Sequence, residues 1–111
     1  MNLTENNPLQ HPALAKMGAL VQTQIACALS AMTRPTKGLV VLALRREDEI
    51  NALEREVLSG GQAQDFTAAQ RIRLARAAKD LERIGDEAKK IIAKSLVVHG
   101  ENFIDLDKTP P

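Results

Sequence analysis

Hydrophobic residues recur at helical intervals over most of the chain, in three blocks separated by turn-forming residues. From Pro12 onward they follow one another at steps of three and four, the spacing of one helix face. Proline is tolerated at a first helical position, and Arg34-Pro35 disfavours helix, so we predict a first helix from Pro12 to about Arg34. Its stripe comprises Leu14, Met17, Val21, Ala28 and Met32, widened by Leu20, Ile25 and Leu29.

The second block lies between Thr36 and the paired glycines Gly60-Gly61. Thr36 can cap the start of a helix, and the glycines favour the turn that would end it. The stripe is interrupted at Arg46, whose alkyl stem can cover apolar surface while its guanidinium reaches water. Its members are Leu39, Leu42 or Ala43, Ile50, Leu53 and Val57.

The third block has the most regular pattern. Thr67 and Gln70 are spaced as in a capping box, which marks a helix start. Small and apolar residues then alternate at steps of four and three, a period typical of bundle seams. We expect this helix to end near residue 98, before Gly100. The predicted seam consists of Ala77, Leu81, Ile84, Ala88, Ile91, Ser95 and Val98.

Short connections make consecutive helices antiparallel neighbours, so the pattern predicts an all-α fold, an antiparallel three-helix bundle with spectrin-like up-down-up order. The domain is expected to span residues 12–100, between a flexible N-terminal tail (1–11) and a C-terminal tail (101–111). The chain has neither the roughly 18-residue apolar run of a membrane span nor a signal-peptide pattern. We therefore predict a cytoplasmic protein without membrane insertion.

Composition supports helices and argues against nucleic-acid binding. The 111 residues are 44% hydrophobic but include two Phe and no Trp or Tyr, so the core must be aliphatic. Net charge is +1, and Arg71, Arg73, Arg76 and Lys79 are spread around their helix without aromatic residues for base stacking. The single cysteine, Cys27, lies in an apolar run without a neighbouring cation, which predicts a buried hydrophobe.

Acidic residues on two helices are the clearest candidates for chemistry. Glu82 and Asp86 are four residues apart and share a face of the third helix, while Glu47, Asn51 and Glu54 share a face of the second. Antiparallel packing can gather these oxygen ligands, which suit hard cations or iron and manganese rather than zinc. The alternative is a solvated face neutralised by nearby cations: Lys79, Arg83, Lys89 and Lys90.

Gly85 needs a local reason, because glycine inside a helix costs about 1 kcal/mol relative to alanine. That reason is either the close approach of a neighbouring helix or room for a ligand beside Asp86.

An enzyme is not expected, because no nucleophile–base pair, glycine-rich phosphate loop or zinc-ligand spacing is present. His11 and His99 lack the Glu-x-x-His context of di-iron bundles, and we expect both to be exposed.

Residues Asp80–Ile91, with the sequence DLERIGDEAKKI, resemble the signature of the PhoU family of phosphate-uptake regulators. Glu47–Glu54 resembles the acidic stretch on that family's preceding helix, and Leu14–Gly18 and Ala28–Met32 resemble its opening helix. The similarity covers about residues 13–98 and implies a single PhoU-like repeat, where family members carry two repeats in a longer chain. A departure lies before the third helix, where Asp65-Phe66-Thr67 stands in place of the family's usual Pro and Asp-Leu-Arg.

The resemblance implies a non-catalytic regulator of phosphate uptake and phosphate-starvation signalling. Such a protein would be a helical adaptor that links a phosphate transporter ATPase to a sensor histidine kinase. Some members bind iron or other metal clusters through acidic motifs, which map onto Glu82 with Asp86 and onto Glu47 with Asn51. The family pattern would have Asp at Asn51, and the amide brings no charge. The alternative is a ligand-free helical interaction or oligomerisation module without a phosphate role.

The breadth of the apolar stripes predicts self-association. The first helix is apolar over more of its circumference than two neighbours need, and the second is apolar nearly all round between Leu39 and Leu44. A single three-helix repeat cannot bury both. We therefore expect a homodimer related by a two-fold axis. Its contact should involve one side of the first helix together with Leu39, Val40, Val41 and Leu44.

Overall fold

A computed structural model of the chain describes residues 7–59 and 66–108, with side chains described as far as residue 99. A single-turn 3₁₀ helix (Pro8–Gln10) precedes three α-helices, α1 (Pro12–Thr33), α2 (Lys37–Ser59) and α3 (Ala68–Lys108). These ranges contain no strand. None of their helices is long and apolar enough to cross a membrane. The predicted all-α class is confirmed.

The starts of α2 and α3 are fixed by the hydroxyl caps that the sequence predicts. The Leu39 N–H donates to Thr36 Oγ1 at 3.1 Å. The Thr67 N–H donates to Gln70 Oε1 at 2.8 Å, and the Gln70 N–H donates back to Thr67 Oγ1 at 3.1 Å. Each cap satisfies backbone donors that a helix start leaves unpaired. Gly60-Gly61, the predicted end of α2, lies outside the described residues.

The start of α1 corrects the expectation for His11. His11 is buried rather than exposed, and its Nδ1 accepts the Ala13 N–H at 3.1 Å, so the imidazole caps the helix. Pro8–Gln10, within the segment predicted as the N-terminal tail, forms the 3₁₀ turn, and Pro8 is buried. The physical reason is local, since the Asn7 side chain accepts the Leu9 N–H at 3.0 Å and closes that turn.

The end of α3 lies further along the chain than the periodicity predicted. The helix continues to Lys108, so it includes most of the segment 101–111 that the sequence assigned to a tail. Gly100 does not end it, because one glycine weakens a helix by about 1 kcal/mol without blocking its hydrogen bonds.

Two buried clusters hold the helices together and define their directions. The first joins the starts of α1 and α3 to the second half of α2, and the second joins the end of α1 to the start of α2 and the middle of α3. This arrangement confirms the predicted antiparallel up-down-up order. The first contains Leu14, Met17 and Val21 from α1, Ile50 and Val57 from α2, and Leu74 and Ala78 from α3. The second contains Ala28 and Ala31 from α1, Ala43 from α2, and Ala88 and Ile92 from α3.

The buried seam of α3 differs from the predicted one. Its buried positions are Leu74, Ala78, Gly85, Ala88 and Ile92. The predicted members Ile84, Ile91 and Val98 are exposed instead, as is Met32 on α1. Both seams have steps of four and three, and Ala88 belongs to both. The bundle buries the seam that contains Gly85, because the missing side chain lets neighbouring helices approach closely.

Candidate functional site: an ion-paired ridge between α2 and α3

Antiparallel packing brings Glu47 of α2 level with Asp86 and Lys89 of α3. Lys89 Nζ lies 3.1 Å from Glu47 Oε1 and 3.0 Å from Glu47 Oε2. The same ammonium lies 3.1 Å from Asp86 Oδ1. One lysine therefore joins carboxylates from two helices, and we call Glu47, Asp86, Lys89 and Lys90 the ion-paired ridge.

The ridge carries balanced charge. Lys90 Nζ lies 3.1 Å from Asp86 Oδ2 and 3.3 Å from Glu87 Oε1. Hydrogen bonds from Lys89 and Lys90 lower the pKa of Asp86 from 3.8 to about 2, against the opposing effect of desolvation. Hydrogen bonds to Glu47 and then Asp86 raise the pKa of Lys89 above its ordinary value. These shifts favour ionised Asp86 and Lys89 near neutral pH.

The other two predicted metal ligands lie on the same helices. Glu82 precedes Asp86 by one turn of α3 and forms its ion pair with Lys79, at 3.8 Å. Asn51 follows Glu47 by one turn of α2 and is half-buried. The bundle thus places Glu47 and Asp86 together around a lysine, whereas Glu82 is engaged with a cation of its own helix.

This arrangement does not fit a metal cluster. In the part of the chain that the structure describes, no group of three or more His, Cys, Asp or Glu side chains is placed to hold a metal ion. The Lys89 ammonium lies between Glu47 and Asp86, where a cation shared by the two carboxylates would bind. Asn51 can offer an oxygen but no negative charge. The geometry supports the charge-paired face, and the metal ligands stay a prediction.

Gly85 lies beside the ridge on the buried side of α3. A Cβ at this position would be 3.1 Å from Ile50 Cδ1 and 3.5 Å from Val21 Cγ2. The first distance is shorter than ordinary van der Waals contact between carbon atoms. Of the two interpretations of Gly85, the structure therefore supports the close approach of neighbouring helices.

A partly buried polar network between α1 and α2 was not predicted from the sequence. Gln24 is fully buried, and its Nε2 donates to the Ala43 carbonyl at 3.1 Å. Arg46 Nε donates to Gln24 Oε1 at 2.7 Å, and Arg46 Nη2 donates to Cys27 Sγ at 3.0 Å. Cys27, predicted to be a buried hydrophobe, is instead half-buried and lies beside the Arg46 guanidinium. Gln24, midway between Val21 and Ala28 on the buried stripe, was the available signal.

The residues predicted for a dimer contact divide into two pairs. Leu39 and Val40 are half-buried and pack against the second core cluster. Val41 and Leu44 are 47% and 48% exposed. Of these four residues, Val41 and Leu44 are the more exposed, and a contact through them stays a prediction.

The fold is a helical bundle domain, and its clearest polar feature is the set of ion pairs in the ridge between α2 and α3. The PhoU domain profile matches residues 14–94, which include most of all three helices. The chain belongs to the PhoU family, and the resemblance seen in its acidic motifs is confirmed.

Two curated relatives are phosphate-specific transport system accessory protein PhoU homologs. The one from Pseudomonas aeruginosa is 31% identical over 90 residues, covering 75% of this chain and 37% of the relative. The one from Pseudomonas putida is also 31% identical over 90 residues, covering 75% of this chain and 35% of the relative. The chain thus spans about a third of the length of these relatives. No solved structure matches it.

Proposed function

We propose that this chain is a regulatory protein of phosphate uptake and phosphate-starvation signalling, which acts as a helical adaptor and not as a catalyst. The observation that carries the proposal is the PhoU domain match over residues 14–94. The names of the two relatives, accessory proteins of a phosphate-specific transport system, support a role in phosphate transport.

The proposed partners are the ATPase of a phosphate transporter or a sensor histidine kinase. The bundle offers them helix faces that two core clusters and the ion-paired ridge hold together. Cytoplasmic location is part of the proposal, because the ATP-hydrolysing parts of both partners face that compartment.

Binding measurements with purified components test the adaptor role. The transporter ATPase subunit and the cytosolic region of the sensor kinase, both from the organism that encodes this chain, would be immobilised separately. We expect saturable binding of the chain to at least one of them. The matched control is the ATPase subunit of an unrelated transporter, which should not bind. Binding to neither partner at high micromolar concentrations would contradict the adaptor role.

Metal binding by Glu82, Asp86, Glu47 and Asn51 stays a prediction that rests on family resemblance, and the ion pairs of Lys89 argue against it. Elemental analysis of protein purified without chelator decides the matter when the wild-type chain is compared with Asp86→Ala. Bound iron or another metal that disappears in the variant would support a metal site. Equal and negligible metal in both proteins would contradict a metal site and support a ridge held by ion pairs alone.

Self-association is the last part of the proposal. The exposed apolar residues of α1, α2 and α3 are more numerous than a small monomeric bundle needs to leave uncovered. A homodimer would cover part of this surface. Light scattering at micromolar concentrations should report twice the mass of the chain, and a monomer would contradict self-association.

A further inference from the structure

A long apolar groove lies between α1 and α3 on the surface of the bundle. Its walls are apolar on both helices, and among the described residues none of α2 lines it. Near the end of α1 the groove continues along α3 past Met32 and Ile91 to Val98. We define the α1–α3 groove by six large exposed side chains: Ile25, Leu29, Met32, Ile84, Ile91 and Val98.

The spacing of these six residues suits a helix as the occupant of the groove. The three members on α1 are separated by steps of four and three, and the three on α3 are seven residues apart. Apolar side chains at this repeat pack in register against a further helix that lies along them. From Ile84 to Val98 the α3 wall extends over about 21 Å at 1.5 Å per residue, which matches roughly four turns of such a helix.

The charged residues that line the groove make its edge cationic. In the described part of the chain they are Arg83, Glu87 and Lys94, with His99 at the far end. The Glu87 carboxylate is already paired with Lys90, at 3.3 Å. Arg83 and Lys94 are exposed, and neither forms an ion pair with another described residue. The α1 wall of the groove carries no charge, so two cations without a carboxylate partner dominate the edge.

The end of the bundle towards which the groove runs adds further positive charge. Residues 28–44 and 88–99 form this end around the second core cluster. These two ranges contain five lysine and arginine residues and no aspartate or glutamate. Two of the five belong to the ion-paired ridge, whereas Arg34 and Lys37 are exposed at the turn between α1 and α2. The summed field at this end attracts an anionic partner towards the groove.

We propose that the α1–α3 groove binds an amphipathic helix of a partner protein, with an apolar seam on one face and acidic residues beside that seam. The proposal rests on the adaptor role and deepens it by naming the chemistry of the bound segment. The apolar seam of the partner helix lies between the walls of the groove, and its carboxylates lie near Arg83 and Lys94. Opposite charges at these positions fix the partner's orientation and exclude cationic helices.

Two other occupants fit the charges less well. Pairing of the groove with the same groove of a second copy would place two cationic edges against each other, and like charges repel. The chain's own residues 101–108 continue α3 as one helix, so they cannot fold back onto the groove of the same molecule.

Two synthetic helical peptides, each about five turns long, test the proposal. Both carry leucine at steps of four and three, and the flanking positions hold glutamate in one peptide and lysine in the other. Titration calorimetry measures their binding to the full chain at low and high salt. We expect the glutamate peptide to bind at least roughly 10-fold tighter than the lysine peptide at low salt. This ratio should shrink at high salt, because ions screen exposed charges.

Matched variants locate the binding. Arg83→Glu reverses a charge at the edge of the groove and should weaken binding of the glutamate peptide by roughly 5-fold. Arg45→Glu makes the same change at an exposed arginine of α2, outside the groove, and should leave binding unchanged. Leu29→Glu places a carboxylate among the apolar side chains and should abolish binding, while its 64% exposure leaves the charge hydrated in the free chain. Far-ultraviolet circular dichroism verifies that each variant is folded.

Several results would overturn the proposal. These are no saturable binding of the glutamate peptide up to millimolar concentrations, equal binding of both peptides, and binding that Leu29→Glu leaves intact. A peptide of residues 101–111, which carries Glu101, Asp105 and Asp107, is the probe for a second copy. Tighter binding of that peptide than of the glutamate peptide would make a second copy the occupant.

Failure of this proposal is distinguishable from failure of the adaptor role. The peptides contain neither of the proposed partners, so their binding is measured independently of the transporter ATPase and the sensor kinase. If Leu29→Glu and Arg83→Glu bound one of those partners as tightly as the wild-type chain, the groove would be excluded as the contact and the adaptor role would stand.

Discussion

Substitution of Gly85 by alanine tests how closely the three helices approach. In an open helical position this change stabilises a protein by about 1 kcal/mol, because alanine is the better helix former. At Gly85 the added methyl would lie 3.1 Å from Ile50 Cδ1, and Ile50 is only 1% exposed. Forcing an extra methyl into a well-packed core costs about 1–3 kcal/mol. We therefore expect Gly85→Ala to lower the free energy of unfolding by about 1 kcal/mol, the net of the two effects.

Gly18→Ala is the matched control. Gly18 also lies inside a helix, α1, but a Cβ there would meet no heavy atom within 4 Å. This substitution should stabilise the chain by about 0.5–1 kcal/mol. Urea denaturation followed by far-ultraviolet circular dichroism measures both variants. If Gly85→Ala stabilised the chain as much as Gly18→Ala, the close approach of Ile50 to Gly85 would be refuted.

A double-mutant cycle identifies the atom responsible. Ile50→Val removes the Cδ1 methyl that the new Cβ would meet, and alone should cost about 1 kcal/mol. Combined with Gly85→Ala, it should destabilise by less than the sum of the single changes, with a coupling of at least about 0.5 kcal/mol. Strict additivity would show that the strain arises elsewhere.

Three further predictions concern polar contacts and are tested by the same denaturation assay. Gln24→Met leaves Arg46 without its buried acceptor and should cost about 1–3 kcal/mol, so an unchanged unfolding midpoint would contradict the network. Lys89→Met removes the ammonium that joins Glu47 of α2 to Asp86 of α3 and leaves Asp86 paired with Lys90 alone. It should cost about 1 kcal/mol at low salt and less at high salt. Because the pKa of Asp86 is about 2 in the fold and 3.8 ordinarily, its stabilisation is present above about pH 4 and lost as pH falls towards 2. Asp86→Asn should flatten that part of the stability–pH curve, and an unchanged slope would contradict the assignment.

The features that the sequence predicts well are those determined by nearby residues. The caps at Thr36 and Thr67 depend on donors within three positions, and both form as expected. The buried seam of α3 could not be chosen in this way, because two seams with the same spacing overlap at Ala88. The choice depends on contact between Gly85 and Ile50, which are remote in sequence.

The candidate site shows the same division between local and distant causes. Spacing placed Asp86 on one face of α3, and antiparallel packing placed Glu47 opposite it. That Lys89 lies between these carboxylates depends on the axial alignment of α2 and α3 and on the reach of a long flexible side chain. Neither is determined by spacing along one helix. Arg46 was likewise assigned to solvent, because its acceptor Gln24 is on another helix.

The rate of phosphate uptake in cells lacking this chain tests the proposed regulatory role most directly. Uptake of radiolabelled phosphate and expression of a phosphate-starvation reporter would be measured in phosphate-rich medium, in the wild type, the deletion strain and the deletion strain carrying the gene on a plasmid. A regulator that restrains uptake predicts faster uptake and an active reporter in the deletion strain, and return of both to wild-type levels with the plasmid. Uptake and reporter activity that do not change on deletion would contradict a role in phosphate regulation.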